Sequence, residues 1–317
     1  MTLKEATTGP GQSTTEPQGS PVIRCRGLTK DYGSGQGLFD LDLDVPRGEV
    51  FGFIGANGAG KSTTMRLLMG LIRPDRGTAE LFGLDVQRDG RAVKAKVGYL
   101  PGELPQFPGA KASHVVGLLA GLRGGVDESR IASLAERLQL DLSRRFSDLS
   151  HGNRQKVGLL TAIMHSPELL ILDEPTLGLD PLMQREVRLL IKEAVSAGAT
   201  CMLSSHVLAE VELVCDRIGL IRDGRLLRIG SLDELRSIRV HHVVAGMSTA
   251  PDASALQALA SLPGVNDVRL EGLAVSCSAH GSMTPLLEWL TAQAVSEIDS
   301  RELSLEEVFL AAYEPAQ

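Results

Sequence analysis

Apolar residues along this chain fall into two rhythms. Short unbroken runs at Val50–Ile54, Leu169–Leu172, Thr200–Leu203 and Ile218–Ile221 have the length and continuity of buried strands. Between and after them, Ser62–Leu71, Arg130–Leu138, Asn153–His165 and Leu182–Ala197 space their apolar residues as one face of a helix does. Strand-like and helix-like segments alternate from Pro21 to about Gly230, which predicts an α/β domain over residues 21–230. Asp223-Gly224 reads as a tight hairpin turn between Ile218–Ile221 and Arg225–Ile229.

Beyond Gly230 the texture changes. A short helix over Leu232–Ser237 is expected to lead into His242–Met247, Ala253–Leu262, Asp267–Leu270, Leu273–Ser278 and Thr284–Leu290. A last helix is expected near Leu305–Tyr313, and Glu271-Gly272 sits between two alternating runs as a hairpin turn would. The order approximates β-α-β-β-α with a closing element, a small α+β domain over residues 238–317. Residues 1–20 are rich in Thr, Gly, Pro, Gln and Ser and read as a disordered tail.

Composition narrows the picture. A chain of 317 residues with 43% apolar content can bury two cores. Its net charge of −7 gives no electrostatic case for a nucleic-acid partner. Cys25, Cys201, Cys215 and Cys277 are scattered, with no C-x-x-C pair, and read as small buried residues in a reducing compartment. The adjacent His241 and His242 have no further ligand at metal spacing. No apolar signal segment and no window of 18 apolar residues is present, so the expectation is a soluble cytoplasmic protein whose membrane role comes through a partner.

The candidate chemistry starts at Gly55-Ala-Asn-Gly-Ala-Gly-Lys61-Ser62, a G-x-x-x-x-G-K-S loop between the Val50–Ile54 strand and the helix from Ser62. Gly55, Gly58 and Gly60 allow backbone N–H groups to turn inward without a Cβ in the way, and the following helix adds its positive end. Asn57 and Thr63 belong to the same nucleotide-binding set. Lys61 is expected to reach the β- and γ-phosphates, and the Ser62 hydroxyl to ligate Mg²⁺. Glu168-Leu-Leu-Ile-Leu-Asp173-Glu174 then delivers two carboxylates to the end of a buried strand, about 110 residues downstream. Asp173 is placed to hold Mg²⁺ and Glu174 to polarise an attacking water.

With these motifs the chain resembles the nucleotide-binding subunit of ATP-binding cassette transporters, from Ile23 to about Gly230. Leu149-Ser150-His151-Gly152-Asn153-Arg154-Gln155 resembles the signature, usually LSGGQ; Pro175-Thr-Leu-Gly-Leu-Asp180 resembles the D-loop; Ser204-Ser205-His206 resembles the switch histidine. The resemblance implies a P-loop NTPase cassette, with a helical and signature part at about residues 100–165, followed by the small α+β domain. It implies that Tyr32 stacks on adenine, and that His206 hydrogen-bonds the γ-phosphate. It also implies that Ser150 and the Gly152 amide close on the γ-phosphate held by a second cassette. Two cassettes, identical or different, would sandwich two ATP molecules, with Asp180 at their seam.

Two positions depart from the family pattern. Where the family carries a glutamine after an apolar strand, Val97-Gly-Tyr-Leu-Pro-Gly102-Glu103 has Gly102 or Glu103, with Gln106 slightly beyond. His151 stands within the signature, while Ser150 and Gly152 keep the anion site. Tyr-Leu-Pro-Gly-Glu, this signature and the segment Ser304-Leu-Glu-Glu-Val-Phe-Leu310 resemble the branch serving drug and antibiotic exporters, of the daunorubicin-resistance type. The expectation is therefore an ATPase subunit that dimerises on ATP and powers a separate membrane permease, held at the inner face of the membrane through it. The permease is expected to dock on Gly102–Gly121. The rival is a soluble ATPase of the same class acting on ribosomes or nucleic acid; a single phosphate loop, no sustained heptads and an acidic balance weigh against it.

Overall fold

The computed structural model describes residues 20–232 and 240–302; residues 1–19 of the expected tail, residues 233–237 of the expected short helix and the expected last helix lie outside them. The chain divides into two compact units, one of Met1–His206 with Leu220–Leu227, the other of Val207–Gly219 with Arg228–Gln317.

The first unit is built on strands β3 (Val50–Ile54), β8 (Thr200–Ser205), β7 (Leu169–Leu172) and β6 (Val97–Leu100), hydrogen-bonded in that order and parallel throughout. Every residue of β3, β7 and β8 is buried, which explains why these strands read as unbroken apolar runs. Beyond β3 the same sheet continues into β9 (Arg217–Arg222) and β10 (Arg225–Ser231), joined at the Asp223-Gly224 turn. A second, antiparallel sheet has the order β2-β1-β4-β5, from β1 (Ile23–Gly33), β2 (Gln36–Val45), β4 (Arg76–Leu81) and β5 (Leu84–Asp85). Neither β1 nor β2 carries a long apolar run. Leu38-Phe-Asp-Leu-Asp-Leu-Asp-Val45 instead alternates with period two, and Leu41, Leu43 and Val45 are buried between exposed aspartates.

Helices α1 (Lys61–Leu68), α2 (Gly90–Lys96), α3 (Ala112–Leu122), α4 (Glu128–Arg137), α5 (His151–Ile163) and α6 (Pro181–Ser196) complete this unit. Arginines staple the helical part to the strands by bonding carbonyls that helix ends leave without an intrahelical donor. Arg123 donates to the carbonyls of Lys94 and, at 2.9 Å, Val97, and Arg130 donates to that of Met164 at 2.8 Å. Arg137 of α4 reaches α6, with hydrogen bonds of 2.6 Å to both Glu186 and Glu193.

The second unit holds α7 (Leu208–Glu212) and the run β11 (Val240–Met247), α8 (Ala253–Ala260), β12 (Val265–Glu271), β13 (Ala274–His280), α9 (Thr284–Ala292), β14 (Val295–Glu302). Its sheet is antiparallel with order β12-β13-β11-β14, so this β-α-β-β-α-β run has a ferredoxin-like arrangement. The closing element is the strand β14. Val243, Ala245 and Met247 of β11 and Val275, Cys277 and Ala279 of β13 point to one face, where they meet Leu259, Leu286 and Leu290 of the helices. All four cysteines are buried free thiols; burial pushes Cys25 up to about 12 and Cys277 up to about 11.

His165, just past α5, lies beside Arg123 and Arg130. Burial, then the charge of Arg123, lowers its imidazole to about 4. In the unfolded chain the same group titrates near ~6.5. The unfolded state therefore binds the extra proton first, and stability is lost as pH falls from the unfolded value through the folded one. Thermal melts of the wild type should fall across that window, and His165→Asn should make the fall shallower. Identical pH slopes for the two proteins would contradict this.

Candidate functional site

The phosphate loop leaves β3 at Ile54 and enters α1 at Lys61 through a turn with little space for side chains. A Cβ on Gly55 would run into the carbonyl of Ile221, and one on Gly60 would sit 2.9 Å from the carbonyl oxygen of Gly37. Gly60 also has φ of +107°, a left-handed conformation that glycine adopts without strain. Asn57 and Gly58 are exposed on the outside of the loop, while Ser62 and Thr63 in the first turn of α1 are half-buried. Lys61 is only 5% exposed; its Nζ donates to the carbonyls of Gly55 and Ala56.

Parallel pairing of β7 with β8 sets the acidic pair beside this loop. Asp173 is 2% exposed, and its Oδ1 accepts the Ser204 hydroxyl at 2.6 Å. Glu174 leaves the strand with φ of +50°. Its N–H donates to Ser204 Oγ at 2.9 Å, and its carbonyl accepts Nε2 of the buried Gln155 at 2.9 Å. The Glu174 carboxylate lies between two groups: His206 Nδ1 is 2.9 Å from Oε2, and Lys61 Nζ is 3.3 Å from Oε1. The Lys61 contact is an ion pair without hydrogen-bond geometry, so Oε1 accepts no hydrogen bond. Lys61, Asp173, Glu174 and His206 thus share one edge of the parallel sheet.

The loop after β6 completes that edge. Tyr99 is pushed up to about 12 by burial and then by the charge of Asp173. Gly102 passes so close to Asp173 that a Cβ there would lie 2.9 Å from Oδ2, whereas Glu103 and Gln106 are exposed. Of the candidates for the missing glutamine, the position nearest Asp173 therefore carries no side chain.

The signature helix begins two residues earlier than its apolar spacing suggested. Helix α5 starts at His151, with Ser150 as its N-cap accepting the Asn153 N–H at 3.3 Å. A Cβ on Gly152 would lie 2.7 Å from the carbonyl of Gly178, and His151 rests against Gly178 in turn. Asp180 caps α6 by accepting the Met183 N–H at 3.0 Å. Tyr32 is 53% exposed, its ring facing Lys30 Nζ at 5.9 Å. It follows Asp31, which pairs with Gly37, the residue whose carbonyl abuts Gly60, so the ring belongs to the strand end beside the phosphate loop.

Gly37 joins these residues, as do Ser204 and Gln155, which stand within the quoted motifs but were assigned no role there. Gln155 left a signal: it shares a helical face with Leu159 and Ala162, and a polar side chain on a buried stripe requires a partner. Ser204 was hidden by the adjacent Ser205, since nothing in the sequence tells which serine turns toward the carboxylates.

A glycine-lined phosphate loop, a buried aspartate followed by a half-buried glutamate, and a histidine on one edge of a parallel sheet define a P-loop nucleotide-hydrolysing cassette. The family described as "ABC transporter" matches residues 38–177. The bacitracin transport ATP-binding protein BcrA of Enterococcus faecalis is 40% identical over 220 residues, covering 68% of this chain and 70% of that protein. The linearmycin resistance ATP-binding protein LnrL of Bacillus subtilis is 32% identical over 308 residues, covering 91% of this chain and 97% of that protein. A solved ATP-binding subunit of an ABC transporter superposes with a TM-score of 0.63 at 31% identity, over 68% of this chain and 92% of that one. The chain belongs to the ATP-binding subunits of ABC transporters, and its activity is ATP hydrolysis.

The crowding differs between two loop glycines, and the difference can be measured. A Cβ on Gly58 meets nothing within 4 Å, so Gly58→Ala adds only the strain of a positive φ. Gly60→Ala adds the clash with Gly37 as well. Each strained backbone costs about 1–3 kcal/mol, so Gly60→Ala should lower the melting temperature and weaken ATP binding more than Gly58→Ala. Equal effects in both assays would show that the Gly60–Gly37 approach is irrelevant.

Proposed function

We propose that the cassette pairs with a second cassette on ATP and drives a separately encoded membrane permease that exports an antibiotic, drug or other hydrophobic compound. Carrying this reading is the Glu174 carboxylate held between Lys61 and His206 at the edge of the parallel sheet. The names of BcrA and LnrL point to antibiotic transport and resistance, and the match to LnrL runs through the second unit as well. Among the described residues no helix is long and apolar enough to cross a membrane, which accords with a permease on another chain at the inner membrane face. Residues 21–230 are proposed as the cassette and residues 238–317 as an accessory α+β domain.

In this reading, Gly55, Asn57, Gly58, Gly60 and Thr63 bind the phosphates with backbone and side-chain donors, Lys61 neutralises the β- and γ-phosphates, and Tyr32 stacks on adenine. Ser62 and Asp173 are the proposed Mg²⁺ ligands. They fit a hard cation, because both offer oxygen and Asp173 uses only Oδ1 for Ser204, leaving Oδ2 open. Bound Mg²⁺ would neutralise charge developing on the phosphate oxygens. Glu174 orients a water and takes its proton as the water oxygen bonds to the γ-phosphorus. The bond from that phosphorus to the β–γ bridging oxygen breaks, and ADP leaves with the electron pair. His206 holds Glu174 and hydrogen-bonds the γ-phosphate. Ser150 and the Gly152 amide reach the γ-phosphate of the opposite cassette. Closure on ATP and reopening after hydrolysis then bias the permease between two access states.

Glu174→Gln tests the catalytic assignment. It should keep ATP affinity, lose turnover by roughly 100-fold or more, and elute as an ATP-dependent dimer on gel filtration. Wild-type turnover in this variant would remove Glu174 from its role. The composite site has a separate test, because Ser150→Arg places bulk and charge where the partner's γ-phosphate sits. That variant should bind ATP normally and hydrolyse it slowly; hydrolysis at the wild-type rate would rule out the sandwich.

A further inference from the structure

Ser204 is fully buried at the end of β8, and its hydroxyl is bonded both to Asp173 and to the backbone of Glu174. We infer that Ser204 is a positioning residue for hydrolysis, a hydroxyl clip that sets the carboxylate of Asp173 and the backbone of Glu174 together. The inference rests on the roles proposed above for those two acids.

The direction of each bond follows from the donor inventory. An amide N–H can only donate, so the hydroxyl oxygen must accept from Glu174. Its single proton is then available for Asp173 Oδ1, which the 2.6 Å distance matches. The Ser204 oxygen thus takes over where the ladder ends. Leu172 pairs with Leu203, and Asp173 N–H turns the other way to the carbonyl of Leu100. Glu174 adopts φ of +50°, and its N–H meets a side chain where a regular strand would continue pairing. Two residues on, His206 grips the carboxylate of the same glutamate. One strand end thereby holds Glu174 at its amide and at its carboxylate. Because the clip occupies Oδ1, it also leaves Oδ2 as the oxygen of Asp173 free for a cation. Burial alone does not need a hydroxyl here; an alanine or cysteine would fill the same space.

The test uses the full-length chain with steady-state phosphate release, and fluorescent N-methylanthraniloyl-ATP titrated with and without Mg²⁺. Ser204→Ala and Ser204→Cys should melt close to wild type and bind the nucleotide in EDTA within about twofold of wild type. Both should lose kcat by roughly tenfold or more and need several-fold more Mg²⁺ for tight nucleotide binding. Ser204→Thr, which keeps the hydroxyl, should recover most of both losses. In the Glu174→Gln background, Ser204→Ala should cost no further turnover but still raise the Mg²⁺ requirement. The clip is overturned if Ser204→Cys matches wild type in kcat and Mg²⁺ dependence, or if the variants lose EDTA-state affinity and melting temperature in step with kcat. A wild-type chain that Glu174→Gln leaves equally active would instead sink the assignment on which the clip rests.

Discussion

Parallel strands that lie side by side all end on the same edge, and β3, β8 and β7 use that edge to gather groups from distant parts of the chain. Ile54 pairs with Ser205 and Leu172 with Leu203, so the phosphate loop, His206 and the Asp173-Glu174 pair emerge next to one another. Buried apolar strands hold this edge rigidly, but they also surround it with little water. A lysine and an aspartate there are tolerable only because each is paired or hydrogen-bonded within the protein. The carbonyls of Gly55 and Ala56 take the Lys61 ammonium, and Ser204 takes one oxygen of Asp173.

Strain is placed at the same edge. Gly60 and Glu174 both have positive φ, the first without penalty, the second at a cost that surrounding contacts must offset. Besides His206, three contacts to Glu174 come from three elements: the Ser204 hydroxyl on β8, Gln155 on α5 and Lys61 on α1. The Gln155 bond ties the signature helix directly to the backbone of the glutamate. The close passage of Gly152 over Gly178 adds a second tie between that helix and the segment after the glutamate.

The second unit has a different logic. One face of its sheet is buried by two helices through Val243, Ala245, Val275, Cys277, Leu259, Leu286 and Leu290. Alternation along β11 and β13 is enough to specify that face, since a one-residue slip would turn Val243, Ala245, Val275 and Cys277 outward. Among the described residues this unit holds no cluster of His, Cys, Asp and Glu able to bind a metal.

Much of the architecture was legible because burial on both faces leaves an unbroken apolar run. The bounds of β3 and β7 coincide with Val50–Ile54 and Leu169–Leu172, and the phosphate loop declares itself through glycines required by a turn too crowded for a Cβ. The long strands β1 and β2 were harder, because their signal is alternation with aspartate and glycine interrupts it. The sequence by itself singled out the residues proposed to carry the chemistry: Lys61, Asp173 and Glu174 through motif spacing, and His206 through the family resemblance. Only the tertiary structure decided that Ser204, and not Ser205, faces the carboxylates. It likewise decided that Gly102 runs against Asp173, and that Gln155 holds the glutamate's carbonyl. Those three facts depend on the register between strands and helices far apart in the chain, which local composition does not encode.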